Sequence, residues 1–296
     1  MLNKRRQLAI RALSTLAIGA AGCGSAASTG RPRSPDPSPH GNAQRLLRRA
    51  ATQALAGQAQ PDPSGTGVRF RVVEYAGAFI NAGSPHAFSL FATSEKLVNV
   101  APTSSAHIVG RLTSPPRFAS PLDRRQWHAA GSPRLPFGAS TAQTADLAAG
   151  TFSFIPVGTR LTFYDAQHLP ASPMQIRQAL EAHLRSLGRQ LSPSLMLRAY
   201  GFLLPIAPLG AATRAAIFTA IESLPGLHAS GTGRDLLSRV GETVSVDDAY
   251  DRIELLLAPN SGSVLAVQQR VLRPQPAYPG IRAGTLIESV TFVRGS

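Results

Sequence analysis

Residues 203–227 form the most strongly patterned stretch of the chain, and they mark where a helical block gives way to strands. Within it, apolar residues recur at spacings of three and four, namely Leu209, Ala212, Ala216, Ile217, Ala220, Ile221 and Leu224. This stripe is typical of a buried amphipathic helix. Pro225 and Gly226 are helix-terminating residues, and beyond them the apolar period shortens to two. We expect Ile217 and Ile221 to be buried, and Arg214 and Glu222 to be exposed.

The strand-like patterns occur in two groups, one on each side of the helical block. The first group covers residues 68–75, 87–100 and 107–112, and the second covers five short segments between residues 227 and 293. Further helices are predicted near 42–55, after Pro173 and after Pro193. Residues 152–164 are predicted to hold two short strands, and 138–150 a polar loop. Grouped strands argue against alternating parallel units. The predicted fold class is α+β: a curved, half-barrel-like antiparallel sheet with three or four helices packed on one face.

The N-terminus has the features of an export signal. Four basic residues, Lys4, Arg5, Arg6 and Arg11, precede a short apolar run over residues 12–22, too short to span a bilayer comfortably. The run ends at Cys23, the single cysteine of the chain, after small residues that resemble a bacterial lipobox. We therefore predict lipidation at Cys23. The alternative is an ordinary signal peptide that is cleaved after a later Ala-x-Ala.

Residues 24–41 are small and proline-rich and have no apolar period. Such a segment buries too little surface to repay its ordering entropy, so it is interpreted as a flexible tether. The predicted organisation is a signal peptide over 1–22, a tether over 23–41 and one extracytoplasmic α+β domain over 42–296. Lipid anchorage on the outer face of the cytoplasmic membrane follows from this, with full secretion as the alternative.

Two short motifs resemble signatures of an uncharacterised actinobacterial family of extracytoplasmic, membrane-anchored proteins. The first is Asp-Arg-x-x-Trp-x-x-Ala-Gly, which stands here from Asp123 to Gly131, and the second is Leu-Pro-x-x-Pro, from Leu169 to Pro173. The resemblance implies no known activity and no catalytic residues. Its members commonly use a transmembrane helix, from which the signal and lipobox here depart. A more distant fold resemblance links the chain to half-barrel domains of bacterial lipoprotein carriers and sensors.

The sequence lacks the short motifs that identify several common enzyme classes. No phosphate loop, metalloprotease motif or nucleophile elbow is present, and the seven histidines are scattered. Asp247, Asp248 and Asp251 are interpreted as a turn rather than a cation site.

The net charge of +14 lies largely in residues 1–60, and no basic stripe is interleaved with aromatics, so nucleic acid is not a predicted partner. Neither a cofactor nor a metal is predicted, and an enzymatic function is the less favoured hypothesis.

Three functional classes remain open. The favoured one is a non-catalytic binding or carrier module for a lipid or other apolar ligand. The alternatives are an envelope interaction or sensor domain with an unnamed regulatory partner, and a hydrolase with an unrecognised site. The favoured class predicts an apolar cavity between the sheet and the helices, lined by Phe70, Phe88, Phe91, Ile217, Ile221, Leu255 and Leu257.

Overall fold

The fold was analysed in a computed structural model. It describes residues 39–57, 67–81, 84, 86–135, 142–155, 161–186, 188–275, 277–278 and 280–294. The predicted signal peptide, Cys23 and most of the predicted tether lie outside these residues.

Helices and strands follow one another in the grouped order that the sequence predicts. Along the chain they are α1 (Pro39–Leu55), β1 (Val68–Ile80), β2 (Phe88–Val100), β3 (Ala106–Leu112), β4 (Arg117–Phe118), α2 (Pro121–Ala129), β5 (Gln143–Leu147), α3 (Phe163–Gln167), α4 (Pro173–Arg185), α5 (Pro193–Ile206), α6 (Ala211–Glu222), β6 (His228–Arg234), β7 (Val240–Asp247), β8 (Asp251–Leu257), β9 (Val264–Val271) and β10 (Leu286–Arg294). Helix α1 begins at Pro39, three residues before the predicted start of the domain.

All strand pairs are antiparallel and form one open sheet in the order β5-β3-β2-β1-β10-β9-β8-β7-β6, with β4 paired to β2. The first and last long strands meet at its centre, where Phe70 lies opposite Arg294 and Ala76 opposite Glu288. This pairing joins the two strand groups across the helical block. The predicted α+β class with an antiparallel sheet is confirmed.

Helices α1, α3, α4, α5 and α6 form the main hydrophobic core with one face of the sheet, whereas α2 contacts β2 and β4 and adds no residue to that core. Helix α5 lies on β7, β8 and β9, while α6 packs against α1, α4 and α5. The side chains of Ile217 and Ile221 are fully buried there, as predicted. The expected exposure of Arg214 is wrong: it is only 5% exposed, because neighbouring helices cover α6 on more than its apolar stripe. Among the described residues, no helix is long and apolar enough to cross a bilayer.

A second, smaller hydrophobic cluster lies at the β1–β2 hairpin, and we call it the hairpin cluster. It contains Phe91, Val271, Tyr278, Ile281 and Ile287, with Tyr75, Phe79 and Ala277 packed against it. Tyr75 and Phe70 are separated by five positions on β1, so their side chains point to opposite faces of the strand. The sheet thus carries apolar packing on both faces near this hairpin.

Two local predictions are wrong. Residues 152–155 and 161–162 contain no strand, and the chain instead enters helix α3, where Thr162 and Asp165 form a reciprocal cap. Residues 156–160, also part of that prediction, lie outside the described part of the chain. Within the predicted polar loop, Gln143–Leu147 pairs with β3 as strand β5. None of its residues is buried. The sequence of this segment therefore lacks the alternation of apolar and polar residues that identifies a strand.

Candidate functional site

The residues predicted to line one apolar cavity occupy four different places. Four of them, Ile217, Ile221, Leu255 and Leu257, are at most 2% exposed and pack together in the main core. Phe88 is buried beside Phe118, with ring centroids 6.3 Å apart. Phe70 lines a cavity of about 180 Å³ on the helix side of the sheet. Phe91 is not part of the main core, and it lines a larger space.

That larger space is a groove of about 790 Å³ beside the hairpin cluster, and we call it the hairpin groove. Four segments form it: β1, β2, the stretch 114–120 and the β9–β10 loop at 280–285. Its lining consists of Tyr75, Phe91, Ala92, Thr93, Ser114, Arg117, Phe118, Ala119, Ser120, Gly280, Ile281, Arg282 and Thr285. The volume falls within the range of about 300–1,000 Å³ that is typical of small-molecule sites.

An aromatic pair forms one wall of the hairpin groove. The rings of Tyr75 and Phe91 are stacked, with centroids 5.2 Å apart and planes only 2° from parallel. Their strands set this contact, since Tyr75 lies opposite Thr93 and Gly77 opposite Phe91 in the β1–β2 register. Burial raises the pKa of Tyr75, so its phenol stays neutral at physiological pH. The stack offers a flat apolar surface with a hydroxyl at one end.

A buried carboxylate fixes a second part of the groove, the stretch 114–120. Asp123 of α2 is 4% exposed, and its Oδ1 accepts a hydrogen bond from the backbone N–H of Ser89 at 2.7 Å. The Ala119 N–H donates to the Ser89 carbonyl at 3.0 Å, and Ser120 caps α2. These bonds hold the stretch 114–120 against β2. Arg117 therefore lies directly opposite Phe91 in the strand register.

The charges on the hairpin groove are positive. Arg117 and Arg282 are exposed at its edge, and neither has a carboxylate within ion-pair distance among the described residues. No aspartate or glutamate belongs to its lining. Planar guanidinium groups bind carboxylates and phosphates through paired hydrogen bonds. The groove thus combines an apolar wall with an anion-binding edge.

The described residues do not assemble catalytic machinery at this groove. His128 lies 3.2 Å from Ser132 Oγ, but both are exposed, and no carboxylate is bonded to that imidazole among the described contacts. His107 contacts Asp146 on a different pair of strands. No group of three His, Cys, Asp or Glu side chains in the described part of the chain could hold a metal ion. The arrangement supports binding through shape and charge.

The Asp247–Asp251 segment serves the fold, in keeping with its interpretation as a turn. Asp247 forms an ion pair with Arg252, and Asp248 accepts a hydrogen bond from Ser194 at 2.6 Å. Asp251 is buried and accepts hydrogen bonds from Gln269 at 3.0 Å and Tyr278 at 3.2 Å. Burial raises the pKa of Asp251.

Sequence reasoning found Phe91 but missed Tyr75, Arg117 and Arg282 as groove residues. One signal for Tyr75 was present in the sequence. On β1, Phe70 and Val72 face the core, while the apolar residues Val73 and Tyr75 occupy the alternate positions and therefore face the other side of the strand. Apolar residues at both odd and even positions of a strand predict packing on both of its faces. For the two arginines no local signal exists, because they are 165 positions apart in sequence.

Comparisons with known proteins place the chain in no family. No protein-family model matches it, and no curated protein matches it. The actinobacterial resemblance therefore stays a prediction. One solved chain, from the Pseudomonas aeruginosa MucA/MucB complex, is 12% identical with a TM-score of 0.28 and covers 86% of this chain. Another, from a crystal structure of MucB, is 14% identical with a TM-score of 0.21 and covers 83%.

This chain spans only 56% and 58% of those two solved chains. Likeness at such TM-scores supports no statement about the function of this chain.

Proposed function

We propose that the chain is a non-catalytic binding module for an anionic amphiphile, a molecule with an acidic head group and an apolar body, which occupies the hairpin groove. The observation that carries this proposal is the union of an apolar aromatic wall with two arginines that have no acidic partner in the part of the chain that the structure describes. The head group binds Arg117 and Arg282, and the apolar body lies along Tyr75 and Phe91.

The size and openness of the hairpin groove support this class of ligand. A space of about 790 Å³ between the hairpin and the β9–β10 loop accommodates a chain or ring system larger than a single phenyl group. Hydroxyl groups of Thr93, Ser114 and Thr285 add hydrogen-bonding capacity near the arginines. A purely apolar ligand would leave these groups and the guanidiniums without a function in binding.

The proposal is tested by titrating the purified chain with laurate and with dodecanol below their aggregation concentrations. These probes share a twelve-carbon chain and differ in the acidic head. We expect laurate to bind about tenfold more tightly, since hydrogen bonds to a charged group are each worth about 1.5–3 kcal/mol. Isothermal titration calorimetry measures both affinities.

The double variant Arg117→Gln/Arg282→Gln provides the decisive comparison. It should remove the preference for laurate while leaving dodecanol binding unchanged. Arg45→Gln is the matched control, because Arg45 is an exposed arginine on α1, outside the groove lining. If the double variant keeps the laurate preference, or if Arg45→Gln loses it equally, the amphiphile does not bind where we propose.

We propose further that the module acts outside the cytoplasm, attached to the membrane through a lipidated Cys23 and the tether of residues 24–41. The basic residues, short apolar run and lipobox-like end of the N-terminus support this location. An anchored module with a flexible tether can reach amphiphiles at the membrane surface without spanning the bilayer. The paired acyl chains of a bacterial lipoprotein provide durable attachment.

A further inference from the structure

Helix α2 lies outside the main core, and its exposed side is positively charged. Residues 112–142 contain four arginines and a single acidic residue, Asp123, which is buried. Arg124 and Arg125 on the helix and Arg134 after it are all exposed. None of these three arginines takes part in an ion pair among the described residues. Their charges are therefore available to an anionic partner.

Two side chains determine which side of α2 is exposed. Asp123 and Trp127 are four positions apart, so they lie on the same side of the helix. Asp123 is buried against β2, and the ring of Trp127 packs against that of Phe118 with centroids 5.4 Å apart. The opposite side of α2 is consequently turned away from the sheet.

A turn after α2 holds Arg134 next to the helix. Trp127 Nε1 donates a hydrogen bond to the Pro133 carbonyl at 2.9 Å, and the backbone N–H of Ser132 donates to the Trp127 carbonyl at 2.9 Å. These bonds fold residues 131–134 back onto the end of the helix. The charge of Arg134 thus adds to the charges on α2.

The exposed side of α2 also carries an apolar side chain. Leu122 is 52% exposed and lies three positions before Arg125, so the two are neighbours on the helix surface. Exposed apolar and cationic side chains on one side of a helix are the combination that binds the interface of an anionic bilayer. We call this exposed set the α2 face, and it consists of Leu122, Arg124, Arg125 and Arg134.

We infer that the α2 face docks on the surface of an anionic lipid bilayer. Its arginines bind lipid phosphate groups, which match the paired hydrogen bonds of a guanidinium, and Leu122 enters the head-group region. Ser120, the N-cap of α2, also lines the hairpin groove, so docking places that groove beside the membrane surface. Docking requires no ligand in the groove and therefore holds whether or not the proposed function is correct.

The test measures co-sedimentation of the full chain with lipid vesicles, using Cys23→Ala throughout so that no attached lipid contributes. Mixed vesicles of phosphatidylglycerol and phosphatidylcholine are compared with vesicles of phosphatidylcholine alone. Binding to the anionic vesicles should be at least about tenfold stronger, and added salt should weaken it because salt screens exposed charges. The basic N-terminus is common to all variants, so differences between variants report on α2.

Arg124→Gln/Arg125→Gln should weaken binding to anionic vesicles about thirtyfold, since two charges near an anionic surface are lost. Arg45→Gln/Arg69→Gln is the matched control and should bind like the parent chain. Arg45 on α1 and Arg69 on β1 are also exposed, and neither forms an ion pair among the described residues. Equal losses in the two double variants would mean that only net charge matters, which would overturn docking through α2.

Leu122→Ser should weaken binding about fivefold, because about half of a leucine side chain no longer leaves water. Leu55→Ser on α1 is its control, since Leu55 is 60% exposed, and it should bind like the parent chain. A Leu122→Ser variant that loses no more than Leu55→Ser would contradict the proposed docking. Equal binding of the parent chain to anionic and neutral vesicles would contradict it as well.

Discussion

Gly201 of α5 lies so close to Val267 of β9 that a Cβ atom at position 201 would be 2.6 Å from Val267 Cγ2. The same atom would lie 2.9 Å from Leu255 Cδ1 of β8. The helix and the sheet are therefore in direct contact at this point. This contact explains why Leu255, predicted to line an apolar cavity, lies in tightly packed core instead.

Gly201→Ala should destabilise the protein despite the higher helix propensity of alanine. An extra methyl group in a filled core forces side chains or backbone to shift, at a cost of about 1–3 kcal/mol. Chemical denaturation measures the free energy of unfolding. Gly110→Ala on β3 is the control, because a Cβ there makes only ordinary contacts, with Lys96 Cγ at 3.5 Å, and its effect should stay within about 0.5 kcal/mol. Equal effects of the two variants would show that α5 does not contact the sheet at Gly201.

Ile217→Asp should lower the free energy of unfolding by about 3 kcal/mol or more, because it places a carboxylate in the main core. Ala212→Asp on the same helix is the matched control. Ala212 is exposed in the first turn of α6, where an acidic residue interacts favourably with the helix dipole. Thermal or chemical unfolding compares the two, and a tolerated Ile217→Asp would contradict the assignment of this residue to the core.

Asp251 gives the stability of the protein a predictable pH dependence. Burial raises its pKa in the folded state above the ordinary value of about 3.9. The folded state then binds more protons than the unfolded state between these two values, so the contribution of this group to stability falls as pH rises through that window. The hydrogen bonds from Gln269, Tyr278 and Gln275 oppose part of this effect.

Asp251→Asn should remove this contribution. The difference in unfolding free energy, parent minus variant, should decrease as pH rises from about 4 toward 7. Urea denaturation at several pH values gives that difference and cancels the contributions of the other carboxylates. A difference that stays constant or rises over this range would mean that the pKa of Asp251 is not raised.

Cys23→Ala tests the proposed anchor. Without the thiol, the lipid cannot be attached, so the variant should partition into the aqueous phase or accumulate as unprocessed precursor. Detergent phase separation of cells that produce either form measures the outcome. If the variant partitions into detergent like the parent chain, Cys23 is not the attachment point.

Much of the fold could be predicted because its signals are local. The stripe from Leu209 to Leu224 predicts α6, and the Asn260-Ser261-Gly262 turn separates β8 from β9 as its residues suggest. Strand β5 could not be predicted, since its exposed side chains show no alternation. The burial of Arg214 depends on how neighbouring helices surround α6, which no pattern within that helix shows.

The hairpin groove could not be predicted from the sequence, for a different reason. Its two arginines come from the stretch before α2 and from the loop before β10, and they line the same groove because β1 pairs with both β2 and β10. That pairing joins residues more than 200 positions apart. Of the predicted lining residues only Phe91 belongs to this groove. Ile217, Ile221, Leu255 and Leu257 pack in the main core, Phe88 is buried beside Phe118, and Phe70 lines the smaller cavity of about 180 Å³.

The central claim is that an anionic amphiphile binds in the hairpin groove and not between the sheet and the helices. Paramagnetic broadening of backbone amide signals by doxyl-labelled stearate tests it most directly. We predict that signals of Thr93 and Ile281 broaden, that unlabelled laurate restores them, and that signals of Leu255 and Ile217 stay sharp. Broadening centred on Leu255 and Ile217, with Thr93 and Ile281 unaffected, would contradict the account.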